Sequence, residues 1–242
     1  MDMQIQKYIL TANYKQVELL TFACNQALRI HIGQLADPLT FQLNFEVAYP
    51  RHHHGEPCPI EVAEKLEELS RLCWHNSHTG YAYDDKSRAY WELYQIFKEA
   101  KSFVGESSFS LNTRQMTLLR NACEQAARLI AGQLDYTLID ELMQAYEKSY
   151  KYDTKKLEDA WKIREQIKED FDALHTLCWD LPVNADHGMG YDANSDILWD
   201  MYQVIRHQLW NDSKKPDDKF WCVSADEPVK TGKEGFIRIE KG

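Results

Sequence analysis

The chain lacks the short signatures of common catalytic sites. It has no phosphate-binding G-x-x-x-x-G-K-[ST] loop, no G-x-S-x-G elbow, no H-E-x-x-H and no C-x-x-C pair. The chemistries those patterns announce are therefore not expected. Long apolar runs are also missing. Charges interrupt every hydrophobic stretch within a few residues, whereas a bilayer-spanning helix needs about 20 apolar residues in succession. Basic residues are the minority: 28 Lys and Arg stand against 38 Asp and Glu, a formal net charge of −10, and no local basic cluster offsets it. A nucleic-acid polymer is not an expected partner of such a surface, nor is a membrane. The start, Met1-Asp2-Met3-Gln4-Ile5-Gln6-Lys7, has neither the basic residues nor the apolar run of a signal peptide, so the expected location is cytoplasmic. Six scattered cysteines read as reduced, mostly buried thiols.

Core-forming residues are plentiful. Hydrophobic residues make up 44%, with seven Trp, thirteen Tyr and nine Phe, which argues against disorder for most of the chain. Self-similarity organises them. Leu19 to Leu35 aligns without a gap on Leu118 to Leu134 at an offset of 99, through Cys24/Cys123, Gln26/Gln125, Arg29/Arg128, Gly33/Gly132 and Gln34/Gln133. Leu72-Cys73-Trp74 then matches Leu177-Cys178-Trp179, and Trp91-Glu92-Leu93-Tyr94-Gln95 matches Trp199-Asp200-Met201-Tyr202-Gln203, so insertions lengthen the second copy. Repeat unit 1 covers residues 1–103, unit 2 covers 104–211, and a linker with a C-terminal β-hairpin tail covers 212–242.

The expected class is mainly α with small β, an α+β fold of two tandem pseudo-symmetric helical units, each opened by a short strand. Gln4 to Leu10 and Ser107 to Leu111 alternate as strands do. Asn13 with Gln16, and Asn112 with Gln115, approximate capping boxes. Val17, Leu20, Cys24 and Ala27, echoed by Met116, Leu119, Cys123 and Ala126, define a buried helical face. A shorter helix is expected over Leu39 to Val47 and again over Leu138 to Tyr146. A third spans about Ile60 to Trp74, matched by Lys156 to Trp179. A fourth spans about Ser87 to Lys98 and Ser195 to Leu209, with Ser87 and Ser195 as N-caps. In the tail, Phe220 to Val223 and Gly235 to Ile239 read as strands that either pair with the N-terminal strands or offer a surface to a partner.

Candidate ligand-binding residues come in pairs. Arg29 with Gln34 and Arg128 with Gln133 flank the two glycines at a helix end, where a planar guanidinium suits phosphate or carboxylate. The same residues also suit an ordinary helix C-cap. Tyr81, Tyr83 and Asp84, and Tyr191 and Asp192, lie in Gly-Tyr loops before a helix N-terminus, which attracts anions and places rings for stacking; a plain connection with a packed aromatic fits equally. Trp91, Tyr94 and Gln95, with Trp199, Tyr202 and Gln203, share a helical face and read as core. The histidines His52, His53, His54, His75 and His78 have no partner at ligand spacing, so no metal and no cofactor are expected. Cys24 and Cys123 sit on apolar faces unsuited to a thiolate, and a non-enzyme is the expectation.

Ala131-Gly132-Gln133 together with Met201-Tyr202-Gln203-Val204-Ile205-Arg206-His207 resembles small uncharacterised proteins of bacteriophage and prophage genomes, across both copies but not the tail. The first copy departs from it with Ile96-Phe97-Lys98. The resemblance implies a phage accessory protein in the host cytoplasm that acts against host defence. Such a protein either traps a small nucleotide-like signalling molecule where symmetry-related units meet or binds a host defence protein. It also implies that the tandem chain is a fused dimer, a monomer with an internal pseudo-dimer or a higher homo-oligomer.

Overall fold

In the computed structural model, which describes residues 6–35, 60–74, 84–134, 138–179, 188, 190, 192–213 and 226–242, the alternation Tyr8, Leu10, Ala12 becomes the buried face of strand β1 (Lys7–Ala12). Helix α1 (Tyr14–His31) follows at once, then α2 (Ile60–Cys73), α3 (Asp85–Ala100), strand β2 (Ser107–Asn112), α4 (Thr113–Ile130), α5 (Leu138–Ser149), α6 (Thr154–Glu158), α7 (Ala160–Trp179), α8 (Ala193–Ser213) and strand β3 (Arg238–Lys241). The class is the expected one: mainly helical, with one small antiparallel sheet in the order β2-β1-β3. Among the described residues, no helix is long and apolar enough to cross a membrane. The expected helix over Leu39 to Val47, the triple histidine and the strand Phe220 to Val223 lie outside the described residues.

Two compact units form, and each takes segments from both sequence copies. The sheet unit comprises Met1–Ala27, Arg88–Ala127 and Met189–Gly242, and the helical unit comprises Leu28–Ser87 and Arg128–Gly188.

In the sheet unit, β1 and β2 pair antiparallel with Leu10 opposite Phe109, two residues that correspond at the repeat offset of 99. Equivalent positions facing each other are the mark of an approximate two-fold axis through that pair. Both capping boxes form: the Asn13 amide donates to Gln16 Oε1 and the Gln16 amide to Asn13 Oδ1, each at 2.9 Å, and Asn112 with Gln115 repeats this at 3.0 and 2.9 Å. The predicted apolar faces of α1 and α4 are buried, Cys24 and its counterpart Cys123 among them. Phe97 meets Phe109 edge-on at 4.8 Å. Strand β3 pairs with β1 along its second edge, Ile239 opposite Leu10. It starts at Arg238 rather than at the predicted Gly235, because side chains of α8 and α1 tie down the residues from Asp226 to Gly235.

In the helical unit, Val62, Leu66 and Leu69 of α2, Leu138, Leu142 and Met143 of α5, and Ile167, Phe171 and Leu174 of α7 share one hydrophobic core. The single helix expected from Lys156 breaks at Asp159, whose carbonyl accepts the Lys162 amide at 2.9 Å and so restarts the chain as α7. The expected caps Ser87 and Ser195 also shift. Asp84 takes the cap position of α3: its Oδ1 accepts the Ser87 amide at 2.8 Å while Ser87 Oγ meets the Asp84 amide at 2.9 Å. Asp192 does the same for α8, accepting the Asn194 and Ser195 amides.

Gly33 ends α1 at φ 79° and Gly132 ends α4 at φ 74°. At Gly33 the left-handed backbone is needed twice over, because a Cβ there would lie 2.7 Å from the Trp74 ring. Gly33→Ala is expected to cost about 2 kcal/mol or more. Urea unfolding measures it, and a loss below about 0.5 kcal/mol would contradict this account of the turn.

Candidate functional site

The two Arg-x-x-x-Gly-Gln turns are Schellman caps with an addition. The Gly33 amide donates to the Ile30 carbonyl at 3.1 Å and the Gln34 amide to the Arg29 carbonyl at 2.9 Å; Gly132 to Leu129 and Gln133 to Arg128 repeat this at 3.1 and 2.8 Å. In this motif the side chains three residues before and two after the end usually touch through apolar groups. Here they are Arg and Gln, and they hydrogen-bond instead. Arg29 Nη1 donates to Gln34 Oε1 at 3.3 Å and Arg128 Nη1 to Gln133 Oε1 at 2.9 Å. Both guanidinium groups are half-buried, and both belong to the helical unit. A guanidinium held in this way keeps its planar fork oriented at little entropic cost.

A second set of charges gathers in the same unit. His31, the last residue of α1, places Nε2 3.0 Å from Asp84 Oδ2 and Nδ1 3.6 Å from Glu141 Oε2. Lys86 binds Glu141, and Lys148 reaches Asp84 Oδ2 at 3.0 Å. Helix geometry assembles the set: Glu141 and Lys148 are seven residues apart on α5 and so share a face, while Asp84 is fixed by its capping bonds. Burial alone would raise the Glu141 carboxyl, but the hydrogen bond from His31 and the charge of Lys86 outweigh it and hold the group at about 2. At Asp84 burial is likewise outweighed, by the Ser87 amide, Lys148 and His31, so that carboxyl lies well below the usual range. Two carboxylates, two ammonium groups and an imidazole form one charged cluster in the helical unit.

The sequence-derived candidates are distributed unevenly. Arg29, Gln34, Asp84, Arg128 and Gln133 belong to the helical unit, whereas Asp192 belongs to the sheet unit. Tyr81, Tyr83 and Tyr191 lie outside the described residues. Asp84 and Asp192 act as helix caps, and Asp84 is at the same time a member of the charged set. His31, Lys86, Glu141 and Lys148 were not among the candidates. One signal for them is visible in the repeat: Ile130 stands where the first copy has His31.

Trp91 stacks at a tilt on Tyr94, and Trp199 on Tyr202, with ring centres 5.3 and 4.8 Å apart. Gln203 is buried but Gln95 only half so. Burial pushes the Cys24 and Cys123 thiols well up, and the Cys73 thiol to about 12, so all three are protonated at neutral pH. Among the described residues, no group of three His, Cys, Asp or Glu side chains is placed to hold a metal ion. Comparison with protein-family models, with curated proteins and with solved structures finds no match to this chain.

The charged set sets an acid limit to stability. Glu141 ionises at about 2 when folded against an ordinary 4.5. Its contribution is therefore present above about pH 4.5 and lost as pH falls towards 2, of order 2 kcal/mol in all. Glu141→Gln is expected to lower stability at pH 7 and to flatten, without abolishing, the fall between pH 4.5 and 2, since Asp84 titrates over the same acid range. Urea unfolding across that range checks this, and an unchanged acid slope would count against the ion set.

Proposed function

We propose that this protein is a non-catalytic binding protein of the phage counter-defence kind, which sequesters a small anionic, nucleotide-derived signalling ligand in its helical unit, where segments of the two sequence copies meet. The observation that supports this reading is the pair of oriented guanidinium groups, Arg29 from one copy and Arg128 from the other, in one compact unit. Two forks presented by rigid helix ends suit the two or more phosphates of such a ligand. Tyr81 and Tyr83, which fall within the segments of the helical unit, are proposed to stack on the base.

The test is retention without turnover. Purified protein is incubated with a panel of cyclic nucleotides and cyclic ADP-ribose isomers. The protein is removed by filtration, and the filtrate is assayed before and after heat denaturation. The expected outcome is depletion of one ligand class and its intact release on heating. Removing one phosphate-binding fork costs about 1.5–3 kcal/mol, so Arg128→Ala and Arg29→Ala should each weaken retention roughly 10- to 100-fold. No depletion across the panel, or the appearance of hydrolysis products, would sink the proposal.

A second reading, a protein-binding inhibitor of a host defence factor, is favoured by the exposure of Trp161 (64%) and Tyr152 (87%) in the helical unit, since bare aromatics of that size suit a protein partner. A stoichiometric protein complex that is indifferent to Arg128→Ala but weakened by Trp161→Ala would support it in place of the first.

A further inference from the structure

The C-terminal segment is held in the sheet unit by a set of polar side chains that grip its backbone. Gln203 Nε2 donates to the Val229 carbonyl at 2.9 Å while its Oε1 accepts the Val229 amide at 3.0 Å. Asp200 accepts the Thr231 amide at 2.8 Å on one oxygen and the Gly232 amide at 2.9 Å on the other. Arg206 Nη2 donates to the Asp226 carbonyl at 2.9 Å. At the start of α1, Asn13 Nδ2 donates to Glu234 and Gln16 Nε2 to the Gly235 carbonyl. The segment then adds to β1 as β3. It runs so close to α8 that a Cβ at Gly232 would lie 3.1 Å from the Ile197 amide nitrogen.

Every element of that grip has a counterpart around the pseudo-dyad. Trp199/Trp91 sets the helix correspondence at 108 residues, so Gln203 corresponds to Gln95, Asp200 to Glu92 and Arg206 to Lys98. At the offset of 99, Asn13 corresponds to Asn112 and Gln16 to Gln115. The face itself is preserved: Lys98 lies 5.4 Å over the Tyr94 ring as Arg206 lies 5.6 Å over Tyr202. β1 carries β3 on its second edge, whereas β2 is an edge strand of the sheet among the described residues. Glu92 is exposed and Gln95 half-buried, and neither has a hydrogen-bond partner among the described residues. A shared fold keeps buried residues for packing, but that argument does not reach these two side chains.

We propose that this counterpart surface, formed by Glu92 and Gln95 on α3, Asn112 and Gln115 at the start of α4, and the outer edge of β2, docks an extended peptide segment of another protein. The segment is gripped as the tail is gripped. Gln95 pairs with both backbone groups of one residue, Glu92 accepts two successive amides at a glycine, and a strand then adds to β2 with an apolar residue opposite Phe109. The chain has one tail and two such surfaces. A tail lent by a second copy would leave that copy's own grip on α8 unfilled, with no net gain in bonds, so the occupant comes from a different protein. The surface belongs to the sheet unit and does not depend on the ligand proposed for Arg29 and Arg128.

A dye-labelled peptide with the sequence of residues 226–242 reports on the site directly, by fluorescence anisotropy with the intact protein. Saturable binding at one peptide per chain is expected. It should weaken about tenfold or more in both Glu92→Ala and Gln95→Ala, each of which removes two hydrogen bonds, and it should be unchanged in Gln203→Ala. Glu92 is exposed, so its substitution tests the site even if Gln95→Ala unfolds; thermal melts identify that case. Three results overturn the proposal. One is no saturable binding up to about 1 mM, the weak limit for a specific site. Another is loss of binding in Gln203→Ala but not in Gln95→Ala, which would mean that the peptide only displaces the chain's own tail. The third is a doubled mass by light scattering that Gln95→Ala reverses, which would make a second copy the occupant.

Discussion

Leu10 opposite Phe109 is the pairing on which the sheet unit is built. Side chains alternate across a strand, so a slip of one residue would turn Tyr8, Leu10 and Ala12 from the buried face to the other. A slip of two would keep the faces but move equivalent residues off the axis. Because α1 and α4 leave β1 and β2 through reciprocal Asn-Gln boxes, the register of the strands also sets that of the helices, and Cys24 and Cys123 are buried at the same offset. Two copies of one sequence bury the same apolar face twice, and an antiparallel pair of strands is a way to present both faces to a common core.

The other ends of those helices raise a different question. A Schellman cap needs only its glycine and its two backbone bonds, and an apolar contact between the flanking side chains would serve as well as Arg29 with Gln34 or Arg128 with Gln133. An amide accepting from a half-buried guanidinium is worth about 1.5 kcal/mol net, the low end for a charged donor, and burying a pair of methylenes contributes a similar amount. Stability therefore gives no preference for the polar pair. What the polar pair adds is orientation, a cation aimed by a rigid helix end, and this is why the binding proposal rests on these turns and not on the capping aspartates.

Much of this arrangement is legible in the sequence wherever one residue type has one physical use. Asn followed at three by Gln, glycine at the end of an apolar helix, and alternation in a short strand each point to a single local structure, and all recur in both copies. The misreadings have equally local causes. Asp84-x-x-Ser87 is a box whose two ends are both good caps, so the sequence pattern does not say which comes first. Asp159 breaks a helix without glycine or proline. The charged set escapes for another reason: His31, Asp84, Glu141 and Lys148 are separated by 53 to 110 residues where they touch, and taken singly each is an ordinary surface charge. Asp196, Asp200, Gln203 and Arg206 look like a solvent-facing stripe because the residues that cover them come from the tail, 20 to 35 positions on along the chain.

Departures from the repeat say most about specialisation. Ile130 in place of His31 and Asn194 in place of Lys86 leave the charged set in one version only. The tail does the same for the sheet unit, and there the exchange of Asp200 for Glu92 has a clear physical consequence. Asp200 is 3% exposed. The tail both covers this carboxylate and supplies the Thr231 and Gly232 amides that satisfy it. Glu92 is one methylene longer and exposed to solvent, where water satisfies it. The surface around Glu92 keeps the groups needed to grip an extended chain while those groups remain hydrated. Affinity for an incoming segment is not reduced by a prior rearrangement, and the segment can leave without stranding a buried charge.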